Sequence, residues 1–366
     1  MGGICRALPL FFCFSWIGEA QPVRFVRHPI QDQTRETISG AALWAQKSAG
    51  KPVLITWGDR LLEWSLPESR MRVLAAAGAR GFGEAGCLVD VDQDGLVDLV
   101  VQEGSPRGAL TWRKAPGWTR YEIDTGIETH ECIPAVLHGR RGVLLVQRYQ
   151  QVRFYEIPSN PALRWPARDL YSFYTPSEQA GLLLADVDGD GIADILSGNY
   201  WIRSPARFDL PWRLYAINTY SETPLSAMAR LALVDLTGHG SGDLIWSQGE
   251  ISKARLAWFE KPADPTQFWI EHRLDGTLDL HAPHGLDVGD FDGDGKLDLV
   301  VAENNGSRSR LFLFHNEGAG RLRPYQLGGG FGVHTARAVD LNGDGRLDIL
   351  TIGPTSIAWW ENHLRR

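Results

Sequence analysis

Four short segments of the sequence repeat one pattern of acidic residues and glycine. Each begins and ends with Asp, has Asp or Asn at its third position, Asp at its fifth and Gly at its sixth. Ca²⁺ takes about six to eight oxygen ligands, and such a nine-residue turn can offer side-chain oxygens from positions 1, 3, 5 and 9 and a backbone carbonyl from position 7. The pattern therefore predicts about four structural calcium sites. Their candidate ligands are Asp90, Asp92, Asp94, Leu96 and Asp98; Asp186, Asp188, Asp190, Ile192 and Asp194; Asp290, Asp292, Asp294, Lys296 and Asp298; and Asp340, Asn342, Asp344, Arg346 and Asp348.

Two other interpretations of these turns are less favoured. An EF-hand needs a bidentate Glu at position 12, where the four copies have Val101, Ser197, Val301 and Thr351. Solvated turns without an ion also favour Asp and Gly. However, three or four carboxylates in one loop would repel one another if no cation balanced them.

A fifth copy of the pattern, Asp235 to Asp243, has lost part of its ligand set. Thr237 stands at the third position and His239 at the fifth. This turn is predicted to bind calcium weakly or not at all.

The spacing of the copies indicates an internal repeat. The first aspartates from Asp186 to Asp340 follow one another at intervals of 49, 55 and 50 residues, whereas Asp90 and Asp186 are 96 residues apart. One unit without the motif must therefore lie between them, around residues 135–146. A further unit precedes Asp90, around residues 41–57, so the chain contains seven units.

Each unit has room for four short strands. The third strands end in aromatic residues and the fourth alternate aromatic with charged residues, as in Trp212 to Ile217, a pattern typical of half-buried strands. The last unit ends one strand short, whereas Val23 to His28 resembles a fourth strand. An N-terminal strand that closes the last blade would remove two exposed strand edges and join the first blade to the last. The sequence therefore predicts an all-β, seven-bladed β-propeller with four-stranded blades, as one domain over residues 21–366.

A second set of residues is predicted to meet on the face opposite the aspartate turns, at the mouth of the central channel. If the turns join first to second strands, the other loops of each blade lie there. Such residues could bind a sugar, hold a transition metal or transfer protons. Capping of strand ends is the alternative and is favoured for any single histidine, but the recurrence of four histidines at one blade position favours a site. The candidates are His130, Glu131, Arg148, Tyr149, Glu178, His281, His284, Glu303 and His334.

The first twenty residues are predicted to be an export signal. Arg6 supplies a positive start, residues 7–17 are apolar, and small residues follow at 18–20. The apolar run is shorter than the ~20 residues that span a bilayer. The mature chain is therefore expected to begin at Gln21 and to be secreted, either periplasmic or extracellular.

Cys87 and Cys132 remain in the mature chain, about one unit apart. A disulfide between neighbouring blades is possible in an oxidising compartment. Cysteines in apolar strands are more often separate buried thiols, which is the favoured expectation.

The net charge excludes some classes of partner. It is -7, with a pI near 5.8, and the sequence has no basic stripe of the kind that binds nucleic acid. No later apolar stretch is long enough to span a membrane. The expected assembly is a monomer.

The aspartate turns, spaced by blades, resemble the FG-GAP and VCBS repeats of secreted propellers, and the resemblance covers essentially the whole mature chain. That family includes adhesins, carbohydrate-associated modules and a few lyases or dehydratases. Residues 258–262 and 268–272 also resemble the propeller portion of aldos-2-ulose dehydratase-like proteins.

Two functions follow as hypotheses. The first is a calcium-stabilised propeller that binds an extracellular carbohydrate or protein ligand at the channel mouth. The second is a carbohydrate lyase or dehydratase that uses His and Glu residues of the same face, with or without a transition metal.

Overall fold

The structure of the protein is a computed structural model. It describes residues 23–31, 37–44, 52–76, 78, 81–104, 106–147, 150–173, 180–218, 228–238, 240, 242–276 and 278–364. The predicted export signal lies outside the described residues.

The described residues form seven antiparallel sheets of four strands each, which are the blades of a propeller. Blade 1 contains β2 (Ile38–Trp44), β3 (Val53–Gly58), β4 (Arg60–Ser65) and β5 (Arg70–Ala76). Blade 2 contains β6 (Phe82–Val89), β7 (Asp98–Glu103), β8 (Gly108–Lys114) and β9 (Thr119–Ile127). Blade 3 contains β10 (Thr129–Leu137), β11 (Arg140–Gln147), β12 (Gln151–Glu156) and β13 (Ala167–Ser172).

Blade 4 contains β14 (Leu182–Ala185), β15 (Asp194–Ser197), β16 (Tyr200–Arg203) and β17 (Arg213–Ala216). Blade 5 contains β18 (Ala229–Val234), β19 (Asp243–Gln248), β20 (Leu256–Glu260) and β21 (Ile270–Arg273). Blade 6 contains β22 (Pro283–Gly289), β23 (Asp298–Glu303), β24 (Arg310–Gly318) and β25 (Arg321–Gly329), with a 3₁₀ helix (Gly306–Arg308) before β24. Blade 7 contains β26 (Thr335–Val339), β27 (Asp348–Ile352), β28 (Ile357–Leu364) and, from the N-terminus, β1 (Val23–Gln31).

The ring closes through the N-terminal strand, and this prediction is confirmed. β1 pairs antiparallel with β28, with Val23 opposite Leu364 and His28 opposite Trp359. The first and last parts of the described chain therefore share one sheet, and the outer edge of β28 is covered.

The hydrophobic core is divided among the interfaces between blades. The described residues form seven buried clusters, and each joins one blade to the next around the ring. The second strands are buried on both faces, which explains why they are almost continuously apolar. Trp112 stacks on Tyr121, with ring centroids 4.7 Å apart, and Trp201 stacks in the same way on Tyr215 in blade 4.

The interface between blades 2 and 3 contains a disulfide bond between Cys87 and Cys132. The expectation of two separate thiols is wrong. The cysteines lie on β6 and β10, the innermost strands of adjacent blades, and the ring brings their Cα atoms within 5.4 Å of each other. No helix among the residues that the structure describes is long and apolar enough to cross a membrane.

Candidate functional site

Five aspartate-rich turns connect first to second strands, in blades 2, 4, 5, 6 and 7. The glycine at the sixth position has φ between +83° and +87° in the four complete copies. This conformation is strained for any residue with a Cβ atom, so glycine is required there. The N–H of that glycine donates to the first aspartate of its turn at 2.9–3.1 Å.

The ninth-position aspartate of each turn is buried and bonded to the backbone on two sides. The five are Asp98, Asp194, Asp243, Asp298 and Asp348, each at most 1% exposed. One carboxylate oxygen accepts the N–H of the turn's second residue at 3.0–3.3 Å. The other accepts an N–H at the end of the third strand at 2.7–3.2 Å.

Burial raises the pKa of all five carboxyls, although these hydrogen bonds oppose the shift, and the pKa of Asp194 reaches about 6. The ninth aspartate therefore anchors its turn to the third strand. The sequence did not predict this role, and the calcium role of the same carboxylates stays a prediction.

The remaining oxygens of the turns suit a hard cation. In blade 2, Asp90 Oδ1 and Asp92 Oδ1 are buried and have no hydrogen-bond partner among the described residues. Buried carboxylate oxygens without a donor are costly, and a cation would satisfy them. At position 7 the backbone N–H donates to the fifth-position carboxylate at 2.8–2.9 Å in the complete copies. The donor set is therefore rich in oxygen and fits Ca²⁺.

Groups of three potential metal donors lie within 4.8 Å of one another at four places in the described part of the chain; three groups are in these turns, and the fourth adds His315 of β24 to two aspartates of the blade 6 turn. They are Asp90, Asp92 and Asp94; Asp186, Asp188 and Asp194; Asp290, Asp292 and Asp294; and Asp292, Asp298 and His315.

A cavity of about 460 Å³ lies in the central channel, lined by residues at the innermost strands of all seven blades. Charged side chains from several blades meet at its mouth, around Arg230 of β18, whose side chain is only 13% exposed. Arg230 Nη1 lies 3.6 Å from Glu131 Oε1 in blade 3. Its Nη2 lies 3.2 Å from Glu250 Oε1 in blade 5 and 3.8 Å from Glu84 Oε1 in blade 2. One guanidinium thus faces three carboxylates.

Three histidines complete this cluster. His130 Nδ1 lies 3.1 Å from Glu84 Oε2. His284 Nε2 lies 2.9 Å from Glu250 Oε1 and also contacts Arg230. The ring of His334 stacks on that of His284 with centroids 5.1 Å apart. The cluster therefore joins side chains from blades 2, 3, 5, 6 and 7.

The cluster shifts the pKa values of its members. Partial burial would raise the pKa of Glu84, but the hydrogen bond from His130 and the charges of His130, Arg230 and His284 lower it to about 2. Burial, together with the charge of His284, lowers the pKa of His334 to about 4. At neutral pH, Glu84 is therefore a carboxylate and His334 is a neutral imidazole.

Comparison with known proteins agrees with this architecture. The FG-GAP-like repeat family matches residues 235–301 and 290–351, which contain the turns of blades 5, 6 and 7. Together with the seven blades, this match shows a β-propeller that carries FG-GAP-like repeats in its last three blades.

A curated relative of this FG-GAP propeller is the T-cell immunomodulatory protein homolog of Plasmodium falciparum (isolate 3D7). It is 31% identical over 136 residues, which are 32% of this chain and 18% of the relative. The chain thus spans less than a fifth of that protein's length.

Among solved structures, an ancestral GH74 enzyme matches 90% of this chain and 48% of its own, with a TM-score of 0.62 and 11% identity. A chain of the mitotic checkpoint complex matches over the full length of both chains, with a TM-score of 0.53 and 12% identity. These two likenesses show the fold alone.

The FG-GAP propeller brings together four of the residues predicted for the channel mouth, namely His130, Glu131, His284 and His334. His281 lies apart from the cavity, with its Nε2 3.4 Å from Asp279 Oδ2. Glu303 is fully buried and accepts hydrogen bonds from Arg310 and from the backbone N–H of His281.

Arg148, Tyr149 and Glu178, and also His239 of the fifth turn, lie outside the described residues. Binding by any of the candidates stays a prediction, as does a transition metal at the channel mouth.

Sequence reasoning placed Glu84 and Glu250 in loops of the channel-mouth face but did not select them as binding residues, and it did not place Arg230 there at all. A signal for Glu84 was present, because Glu84, His284 and His334 each lie six residues before the first aspartate of a turn. Arg230 is a charged residue in an otherwise apolar innermost strand. Glu250 lies in a loop and has no comparable signal.

Proposed function

We propose that this FG-GAP propeller is a secreted, calcium-stabilised binding protein that takes an extracellular carbohydrate at the channel mouth. Arg230, Glu84, Glu250, His130 and His284 supply the polar contacts. The observation that carries the proposal is the convergence of these side chains, from separate blades, on one cavity.

Such a cluster is costly for folding alone. Charged groups taken out of water lose hydration, and their mutual attraction repays this only in part. Apolar packing between blades already holds the ring together. Groups that converge in a cleft at this cost are typical of binding or catalytic sites.

The balance of charge limits the class of ligand. Three carboxylates, on Glu84, Glu131 and Glu250, face one guanidinium, on Arg230. The carboxylates pair with Arg230, His130 and His284, which leaves no excess of positive charge to attract an acidic polysaccharide, whereas sugar hydroxyls and amines can donate to the carboxylates. The site therefore favours neutral or amino sugars.

The setting outside the cytoplasm is supported by two observations. The Cys87–Cys132 disulfide is of a kind that persists in oxidising compartments. The partly similar Plasmodium protein is named a T-cell immunomodulatory protein homolog. That name is consistent with a ligand of this propeller outside the cell, either an extracellular protein or a sugar that such a protein carries. Calcium has a structural role in the proposal, since the aspartate turns lie between first and second strands and not among the channel-mouth residues.

A binding experiment tests the channel mouth. Parent protein, Glu250→Gln and His130→Gln are screened against neutral, amino and acidic glycans, and each melting temperature is measured. The proposal expects the parent to bind a neutral or amino sugar and both variants to lose at least about tenfold in affinity, since Glu250→Gln removes a carboxylate acceptor and His130→Gln removes the imidazole that pairs with Glu84.

His281→Ala is the matched control, because His281 is on the same face but outside the cavity lining. It should bind as the parent does. The proposal fails if the two cluster variants bind as tightly as the parent, or if the parent binds only acidic glycans or only a protein.

The paired side chains support a lyase or dehydratase as a second candidate. His130 with Glu84 and His284 with Glu250 are histidine–carboxylate pairs of the kind that abstract protons beside a carbonyl. Turnover of a bound sugar, detected as an unsaturated product and abolished in His130→Gln, would favour the enzyme over the binding protein.

A further inference from the structure

A second cavity, of about 510 Å³, lies between blades 6 and 7. The loops after β23, β25 and β27 surround it, and β1, the strand that closes the ring, contributes one residue from the outer edge of blade 7. These loops join second to third strands or one blade to the next, so the cavity is on the same face as the channel mouth. Ligand sites in proteins commonly have volumes of about 300–1,000 Å³. We call this space the outer cavity.

The lining of the outer cavity is polar and has a positive charge. Four glycines and a proline form part of it, and no carboxylate is among the described residues that line it. The residues that bring functional groups are Arg27, Asn304, Ser307, Phe331, Thr355 and Ser356. One guanidinium, one carboxamide, three hydroxyls and one aromatic ring thus border the same space.

The guanidinium of Arg27 is held in place by an aromatic ring. Its Cζ lies over the ring of Phe331, 4.7 Å from the centroid, and Phe331 itself stacks on Trp360 in the buried cluster between blades 6 and 7. A guanidinium over a ring keeps the N–H groups at its edge for hydrogen bonds. Arginine has five N–H donors, so Arg27 can bind an anionic ligand in addition to a neighbour within the protein.

The glycine-rich loop before β26 keeps the outer cavity open. Gly330 has φ +101°, a conformation that residues with a Cβ atom rarely adopt. A Cβ atom at Gly332 would lie 2.5 Å from Asn304 Oδ1. A larger residue at position 332 would therefore displace the carboxamide of Asn304 from the lining.

These groups suit a carboxylate on a ligand that also carries hydroxyls. The planar guanidinium can donate two parallel hydrogen bonds to a carboxylate, and its single positive charge balances the single negative charge. Serine and threonine hydroxyls and a carboxamide both donate and accept, so they match the hydroxyls of a sugar.

The outer cavity is next to the channel mouth along the chain but differs from it in charge. Gly332 lines the outer cavity, and His334, two residues later, lines the channel cavity. Three carboxylates lie at the channel mouth, whereas the described lining of the outer cavity has none. The two cavities therefore select different chemical groups.

We propose that the outer cavity binds the carboxylate-bearing ring of a uronic acid, with Arg27 as the residue that binds the carboxylate. Asn304, Ser307 and Thr355 supply contacts to the hydroxyls of the ring. That the ligand is a carbohydrate rests on the function proposed above. That it carries a carboxylate rests on the charge of the outer cavity alone.

Calorimetric titration of the chain from residue 21 with uronic acid oligosaccharides tests the inference. Oligosaccharides of galacturonic, glucuronic and mannuronic acid are each compared with their own methyl esters, which differ only in the charge of the carboxyl group. The parent should bind at least one acid at least about tenfold more tightly than its ester. Arg27→Gln should abolish this preference, and Arg27→Lys should retain part of it, because an ammonium keeps the charge but cannot form the paired hydrogen bonds.

Arg24→Gln is the matched control. It makes the same change on the same strand, and Arg24 is exposed and does not line the outer cavity. This variant should keep the full preference for the acid. The melting temperature of each variant shows that the comparison is between folded proteins.

The outcomes separate this inference from the proposal for the channel mouth. Equal binding of every acid and its ester by the parent, or a preference for the acid that Arg27→Gln keeps, overturns the inference alone. If Glu250→Gln keeps the parent's affinity for neutral and amino sugars while Arg27→Gln loses the preference for the acid, the channel-mouth proposal fails and the outer cavity stands. Absence of binding to any glycan overturns both.

Discussion

Replacement of Asp243 isolates the anchoring role of the ninth-position aspartate. Asp243 belongs to the turn of blade 5, whose third position is Thr237, so we expect calcium to bind there weakly or not at all. Its carboxylate is fully buried and accepts the N–H groups of Leu236 at 3.0 Å and of Lys261 at 3.2 Å. The aspartate therefore ties the turn to the end of the third strand through hydrogen bonds alone.

The expected cost follows from the donors that lose their acceptor. A buried N–H without a partner costs about 1–3 kcal/mol. Asp243→Ala removes the acceptor of the Leu236 and Lys261 N–H groups, and also that of the N–H and hydroxyl of Thr237, which donate over a longer distance of 3.3 Å. The two shorter bonds alone should reduce the free energy of unfolding by about 4 kcal/mol. Asp243→Asn keeps one acceptor oxygen and should cost about half as much.

Chemical denaturation of the parent and the variants, in calcium and again in chelator, measures these differences. Asp235→Ala is the control, because Asp235 belongs to the same turn but is exposed, although it accepts the N–H groups of Gly238 and Gly240 at 2.8 and 2.9 Å. The loss for Asp243→Ala should exceed the loss for Asp235→Ala and should be the same with and without calcium. A loss below about 1 kcal/mol, or one that appears only in calcium, would refute the anchoring role.

Three further predictions concern calcium, ring closure and acid. The melting temperature in excess chelator should be well below that in millimolar calcium, because the ions bind the folded turns. In calcium, Asp290→Ala should lower the melting temperature more than Asp235→Ala does. Equal melting temperatures in chelator and in calcium would contradict the metal assignment. Deletion of residues 23–30 should expose β28 and cause aggregation or a large fall in melting temperature, and a soluble monomer that melts like the parent would contradict this closure. The pKa of His334 is lowered from 6.5 to about 4, so its contribution to stability is fully present above pH 6.5 and is lost as the pH falls through about 4. His334→Gln should therefore lose less melting temperature than the parent over this pH range. If the two proteins have the same pH profile of melting temperature, His334 is not the source of the acid sensitivity.

The fold was largely predictable from the sequence because its signals are local and repeated. Each aspartate turn is a run of nine residues, and the intervals between runs give the size of a blade. The missing strand at one end of the chain and the unmatched strand at the other predicted the pairing of β1 with β28. No single strand is a strong signal, but seven similar units constrain one another.

The channel mouth was predictable only in part. The strand order placed His130, Glu131, His284 and His334 correctly around one cavity, but it also grouped His281 and Glu303 with them. Strand order specifies the face on which a loop lies. It does not specify whether a side chain points into the channel or back toward its own blade, as Glu303 does toward Arg310.

The sequence by itself thus determined the blade, the number of blades and the positions of the aspartate turns, since each depends on a pattern that repeats about every fifty residues. It also determined the strand that closes the ring, because the unmatched strand at one end has the pattern that the last unit lacks. Only the tertiary structure decided the Cys87–Cys132 disulfide, the cluster around Arg230 and the hydrogen bonds that join the ninth-position aspartates to the third strands. These contacts join residues of different strands or different blades. Their geometry depends on the register between strands and on the radius of the closed ring, which no local pattern in the sequence encodes.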